Sequence, residues 1–290
     1  MNLKLPFARR EREAFSLVEI LIVVTLLSLI VLVLMGVFSS TQRAFRASVT
    51  QTDVLEGGRA VTDLIASDLR KLTPSGSYSN DAVNCFALDN NYSPAMRYVP
   101  MEQKLPASTL TRLNSLQYFF LLGRQNNKWV GIGYAVNVTN EASLYPLYRF
   151  YAETNLTQSP RLLYDLYWNT VNQGRWTNMS HLVDGVVHLV VRGYDAGGIW
   201  ITNGYTTPAM VPKNVAFTPP INGEVGFYFY SNALPASVEL QLGLLEDRAV
   251  RHAEALPTFN ARTNYLAGQS GSVHLFRQQV NIPNADRAAY

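Results

Sequence analysis

The sequence predicts an α+β protein in which one long N-terminal helix precedes an antiparallel β-sheet, and three features of its 290 residues predict it. The first is a near-continuous apolar run from Phe15 to Phe38. The second is the proline-free stretch that follows as far as Leu72, where apolar residues recur at helical spacing. The third is a series of Tyr-, Phe- and Val-rich runs after residue 115, punctuated by Gly, Asn and Pro.

The uninterrupted part of the apolar run, Ile20 to Phe38, is 19 residues. As a helix it rises about 28 Å and nearly matches a hydrocarbon layer of roughly 30 Å. It is apolar on every face, unlike a soluble core helix. Glu19 sits inside its first turn. A carboxylate at the centre of such a span costs about 2.5–3.5 kcal/mol and less near the interface, so membrane segments usually exclude it unless a partner is supplied. Arg9, Arg10 and Arg12 lie beyond the apolar boundary and fit a cytoplasmic, positive-inside flank. A cut between Ala14 and Phe15 would create an α-amino group four residues before Glu19, and in an assembly the amine of one subunit could neutralise the carboxylate of its neighbour. An ordinary secretory signal has a shorter core of about 7–15 residues. An uncleaved signal anchor fits the hydropathy equally well.

A basic leader, a small residue, Phe and then SLVEIL ahead of a long apolar helix resembles the class III signal of type IV pilins and type II secretion pseudopilins. The resemblance implies cleavage by a membrane prepilin peptidase between Ala14 and Phe15, N-methylation of Phe15, and a subunit-docking role for Glu19. Ala14 departs from the pattern, which most often has Gly there. Gly36 matches the place where pilin helices commonly carry a helix-weakening residue that melts on packing into a filament.

Beyond the span, Val61, Leu64, Ile65, Asp68, Leu69 and Leu72 leave one apolar stripe, with Arg59, Asp63, Arg70 and Lys71 on the wet side, and Thr73-Pro74-Ser75-Gly76 ends the helix. The expected organisation is therefore a cleaved leader 1–14, a transmembrane helix 15–38, its amphipathic continuation 39–73 and a β-rich domain 74–290. Gly36 and the pair Gly57-Gly58 weaken the helix, each costing about 1 kcal/mol relative to Ala, for close packing or for a hinge. Residues 74–115, rich in Ser, Asn, Pro and Tyr, read as a long connecting loop with room for one short element. LQYFFLL, WVGIGYAV, LYRFYAE, RLLYDLYW, HLVDGVVHLVVRGYD, EVGFYFY, ASVELQLGLL and VHLFRQQVNI read as strands. EDRAVRHAEAL reads as a short helix and PTFNARTNYLAGQSGS as a loop.

Three further segments narrow the resemblance to the W-type minor pilins and the J-type minor pseudopilins. They are GRAVTDLIASDLRKL with Asp68-Leu69-Arg70, LVDGVVHLVVRGYDAGGIW with Tyr194-Asp195 and Trp200, and LPASVELQLGLLEDRA with Leu234-Pro235. Each is short, and strand alternation or turn chemistry alone also accounts for the last two.

Composition excludes several classes. Removing a leader with four basic and two acidic residues leaves 20 of the 24 basic against 19 of the 21 acidic residues, so charge gives no reason to expect a nucleic-acid partner. Cys85 is the only cysteine, which rules out an intrachain disulfide, and it reads as a small half-buried hydrophobe or a loop thiol rather than a reactive group. His181, His188, His252 and His274 lack metal-ligand spacing. GQSGS at Gly268 resembles a nucleophile elbow only superficially and reads as a hairpin. GIGYAV at Gly131 lacks the third glycine of a dinucleotide loop, so no cofactor is expected. The pseudopilin resemblance leaves calcium open, since some pseudopilins bind it in a C-terminal loop, although no stretch has the alternating acids of a calcium loop. Asn91, Asn137, Asn155 and Asn178 begin Asn-x-Ser/Thr triplets that are coincidental in a bacterial setting.

The expectation is a minor pilin-like subunit, not an enzyme, held in the bacterial inner membrane with a periplasmic domain until it enters a pilus or pseudopilus. The partners this implies are the prepilin peptidase, other pilins or pseudopilins, the inner-membrane assembly platform and membrane lipid. The competing expectation is an uncleaved, signal-anchored ectodomain that binds a ligand or polymer, with LLYDLYWNTVNQGRWT as a stacking surface for sugars.

Overall fold

The computed structural model describes residues 16–76, 82–92, 101–105, 108–139, 143–202 and 214–286. The chain divides into two units, Met1–Val49 and Thr50–Tyr290. Helix α1, Leu17–Leu69, passes from one into the other.

In the first unit the apolar side chains from Leu17 to Phe38 are exposed, because one helix offers them nothing to pack on. Leu17–Phe45 is long and apolar enough to cross a membrane, a property shared by membrane anchors and signal sequences. Its hydroxyls are satisfied by the preceding turn. Thr25 and Ser28 donate to the Ile22 and Val24 carbonyls at 2.9 and 2.8 Å, so neither needs an outside partner.

The second unit is α+β. Its α1 segment buries Val61, Ile65 and Leu69, spaced four apart, and Leu72 continues the stripe. The strands are β1 Val83–Asp89, β2 Met101–Lys104, β3 Thr111–Asn114, β4 Gln117–Gln125, β5 Lys128–Val136, β6 Leu147–Asn155, β7 Ser180–Val183, β8 Val186–Tyr194, β9 Val215–Phe217, β10 Phe227–Tyr230, β11 Ser237–Leu245 and β12 Val273–Asn281. They form a seven-stranded sheet in the order β7-β6-β5-β4-β1-β10-β9, a three-stranded sheet β12-β11-β8 and the hairpin β2-β3. All these pairings are antiparallel. Asn126, at φ 52°, lies in the two-residue turn that closes β4 onto β5, where Gln125 pairs with Lys128.

Strict alternation along β4 and β5 sends side chains into two cores. Phe119, Leu121, Val130, Ile132 and Tyr134 join Ile65 and Leu69 of α1 and Leu240 and Leu242 of β11. Tyr118, Phe120, Leu122 and Trp129 face the opposite way, under helix α2, Arg161–Asn172. A strand buried on both faces reads as a continuous apolar run, which is why LQYFFLL is so uniformly hydrophobic.

Four expectations are corrected. RLLYDLYW is helical: Leu163, Tyr167 and Val171 are its buried residues at spacing four, so the period is 3.6 rather than 2, and Gly174 at φ 63° follows it. The stretch read as a loop from 74 to 115 contains β1, which pairs with β4 and β10, and the β2-β3 hairpin. The seven residues of β1 carry Asn84 and Asp89 and show no alternation, since all of them are buried. Asn84 is satisfied there: its amide donates to the carbonyls of Ser231 and Ala233 at 2.8 Å, and its oxygen accepts Ser75 N–H at 2.7 Å. HLVDGVVHLVVRGYD is two strands in different sheets, separated at Asp184-Gly185, with Gly185 at φ 75°. The segment PTFNARTNYLAGQSGS holds helix α4, Phe259–Ala267, capped by Thr258, whose hydroxyl accepts Ala261 N–H at 3.2 Å. GQSGS enters β12 through a short 3₁₀ turn, Ser270–Ser272. The short helix expected in EDRAVRHAEAL is present as α3, Asp247–Glu254.

Candidate functional site

At the head of α1, Ser16 and Glu19 bond each other reciprocally. Ser16 N–H donates to Glu19 Oε2 at 3.0 Å, and Glu19 N–H donates to Ser16 Oγ at 3.2 Å. This is a capping box, which satisfies two backbone donors that a helix start leaves over and sets an acid where the helix dipole favours it. The signal for it is Ser-Leu-Val-Glu directly ahead of an apolar run, a spacing that the expectation of an intersubunit cation passed over. Part of what Glu19 needs is thus supplied by its own turn. The second oxygen, Oε1, makes no hydrogen bond among the described residues and faces outward with an exposed side chain. Ala14 and Phe15, the residues of the expected cleavage and methylation site, lie outside the described residues.

Gly36 lies inside the uninterrupted helix. The turn after it is crowded with competing acceptor contacts: Ser39 Oγ donates to the Gly36 carbonyl at 2.9 Å, and both Ser40 and Thr41 hydroxyls donate to the Val37 carbonyl at 2.9 Å. Such back-bonding weakens and bends helices, adding to the glycine's own effect.

The other end of α1 is fastened by Asp68, the one acid in the buried stripe. Its carboxylate accepts Tyr134 Oη–H at 2.6 Å, Arg149 Nε–H at 2.8 Å and Lys71 Nζ–H at 2.8 Å, and Arg149 Nη2 lies in ion-pair contact at 2.8 Å. Burial would raise the Asp68 carboxyl, but the hydrogen bonds from Arg149, Lys71 and Tyr134 outweigh it and hold the group below its ordinary value. The sequence placed Asp68 in the stripe and named Arg70 beside it. The partner across the core is Arg149 of β6, while Arg70 is exposed.

A second polar network covers the three-stranded sheet. Glu239 accepts from Tyr194 Oη at 2.9 Å and Arg277 Nη2 at 2.8 Å, while Arg192 binds Glu224 and lies 5.1 Å from the Trp200 ring centroid. Asp195 Oδ1 accepts the N–H groups of Gly197 and Ile199 at 2.8 Å, closing the turn that returns Trp200 to Tyr194. Tyr194, Asp195 and Trp200 therefore build and brace a turn.

The residues of chemical interest are individually accounted for. Cys85 is buried, and burial pushes its thiol well up. His188 accepts Ser115 N–H at Nδ1 and faces Gln241 Oε1 through Nε2, both at 3.3 Å, which fixes the Nε2–H tautomer. Burial and the nearby Arg112 bring His188 down to about 4, so it is neutral at pH 7. His181 and His274 pair with Asp184 and Glu246, and the His252 ring lies 4.4 Å from that of Tyr265. Among the described residues no three His, Cys, Asp or Glu side chains group to hold a metal. Gly131 and Gly133 of GIGYAV make room for α2: a Cβ on Gly133 would lie 2.2 Å from the Tyr167 ring, and one on Gly131 would lie 2.8 Å from Leu163 Cβ. Tyr167 Oη donates to the Tyr134 carbonyl at 2.8 Å. Tyr164, Tyr167 and Trp168 pack with Phe86, Phe120 and Tyr118, so core packing accounts for the aromatic run offered as a sugar surface.

Comparison with family models, with curated proteins and with solved structures returns no match to this chain.

Proposed function

We propose that this chain is a minor pilin or pseudopilin, an assembly subunit rather than a catalyst, which helps to initiate or cap a type IV pilus or a type II secretion pseudopilus. The observation that carries the reading is the head of α1. A basic leader with Ala14 and Phe15 is followed by an acid held in the first turn of a helix whose apolar side chains from Leu17 to Phe38 are exposed. That helix needs lipid or other helices around it, and its second part is built into an α+β domain through Ile65, Asp68 and Leu69.

In this reading prepilin peptidase removes residues 1–14 and Phe15 is N-methylated. Residues 15–38 span the inner membrane, residues 39–73 continue the helix, and 74–290 stand in the periplasm. Glu19 Oε2 stays with its own backbone while Oε1 meets the Phe15 amine of a neighbour. Gly36 and the hydroxyl-rich turn behind it are where the helix loosens on packing.

The test is intact and N-terminal peptide mass spectrometry of the protein from its native membrane, with and without the peptidase. A peptidase-dependent start at N-methylated Phe15 is expected. A retained leader in both samples would replace this reading with a signal-anchored ectodomain.

A further inference from the structure

A groove of about 400 Å³ runs beside the part of α1 that belongs to the α+β unit, between that helix, β7, the end of β11 and α3. Its lining is apolar at Val54, Leu182, Leu245 and Val250 and acidic at Asp53, Asp184, Asp247 and Glu254. Against four carboxylates the lining supplies one titratable base, His181, already bonded to Asp184 at 2.9 Å. Arg251 pairs with Asp247 from its own helix, and Glu254 accepts Leu144 N–H at 2.9 Å. Asp53 makes no hydrogen bond or ion pair among the described residues. The groove is thus short of positive charge and offers apolar area beside it.

Gly57 lines the groove from α1, beside Asp53 and Val54. The glycine after it is explained inside the chain, since a Cβ on Gly58 would lie 2.2 Å from the Phe276 ring of β12. At Gly57 an added Cβ meets nothing within 4 Å. A glycine in mid-helix weakens the helix, and this one gains no contact in return. Open space at this position leaves room for another backbone to come close, as small residues do where helices cross.

We propose that this groove docks a helix of a neighbouring subunit, which crosses α1 at Gly57, lays apolar side chains on the apolar lining and sets an Arg or Lys among the carboxylates. The inference rests on the filament-subunit reading and adds where the domain, as distinct from the membrane helix, receives its neighbour.

The experiment places the photo-crosslinking residue p-benzoylphenylalanine at Ala60, exposed and one turn from Gly57, in the full chain in native membranes, and maps adducts by mass spectrometry. The expected adduct lies on a helix of another subunit within one turn of an Arg or Lys. Its yield should fall at least tenfold in Gly57→Leu and in Asp53→Asn/Asp184→Asn. Gly57→Leu improves helix propensity and its Cβ meets nothing within 4 Å, so its thermal midpoint should hold or rise, separating lost docking from lost folding. An adduct that survives Gly57→Leu, or that maps to a segment without a cation, overturns the groove. So does the absence of a protein adduct from chains whose N-terminus starts at Phe15. Chains that keep residues 1–14 overturn the filament reading itself.

Discussion

Removing the Asp68 carboxylate should loosen the junction between α1 and the large sheet, because it deletes the buried partner of Arg149 and Tyr134. Its side chain is 0% exposed, that of Arg149 is 19% exposed and that of Lys71 is 53% exposed. The Lys71 contact is therefore solvent-screened and worth about 0–1 kcal/mol. The Arg149 and Tyr134 contacts are the substantial ones. Breaking a buried pair by deleting one partner costs about 3–5 kcal/mol, because the other is left desolvated without a counter-charge. Partial exposure of Arg149 places Asp68→Ala at the lower end, about 3 kcal/mol. Arg149→Ala alone should cost less, since Tyr134 and Lys71 remain on Asp68. The double variant should fall short of the sum by about 1–3 kcal/mol, the coupling expected of direct partners. The folded-state pKa of Asp68 is lowered, so its stabilisation is present above the ordinary carboxylate value and is lost as pH falls through the folded value. Urea unfolding of the full chain in detergent micelles, followed by Trp fluorescence at pH 7 and again below pH 4, measures both effects. A loss below about 1 kcal/mol at pH 7, or additive single variants, would refute the reasoning.

Gly133→Ala should destabilise the domain by about 1–3 kcal/mol through the clash with Tyr167, with Tyr167→Leu restoring part of the loss in the same unfolding assay. Asp89 is buried, and burial pushes its carboxyl up to about 6 from 3.8. The folded state therefore holds the proton longer, and stability falls by up to about 3 kcal/mol as pH rises from about 4 to about 6. Asp89→Asn should remove that component, and parallel pH profiles of the two proteins would disprove it. Glu19→Lys should still insert in the membrane but fail to enter filaments, because two cations then meet at the helix start, and immunoblots of sheared filaments read the outcome. Ser16→Ala should cost the helix head about 1 kcal/mol of capping, seen as faster amide exchange over Leu17–Ile20 in micelles, and unchanged exchange would deny the capping box a role.

The antiparallel strands β4, β5, β6 and β11 were legible because their side chains alternate or run continuously apolar, and local pattern alone then selects the conformation. α1 was legible because nothing between Phe15 and Leu72 breaks a helix and one stripe of its second part stays apolar. Helix α2 was not: Tyr and Trp satisfy strand and helix expectations alike, and only the burial of Leu163, Tyr167 and Val171, the first two seated over Gly131 and Gly133, chose the 3.6 period. β1 was hidden because Asn84 and Asp89 interrupt it, and its place depends on the segment just after β10, over a hundred residues away, supplying the Ser231 and Ala233 carbonyls to Asn84.

At the candidate site the same division holds. Ser16 and Glu19 are three residues apart, so the capping box is a local fact that the chain states by itself. So are the apolar length that can cross a bilayer, the single cysteine that forbids an intrachain disulfide, and the presence of Asp68 in an otherwise apolar stripe. That Asp68 is answered by Arg149 rather than Arg70, that the GIG of β5 is a seat for a helix, and that Gly57 faces open space beside four carboxylates were decided only in three dimensions. Those outcomes join residues distant in sequence, and burial together with hydrogen-bond geometry, rather than any local preference, selects among their candidate partners.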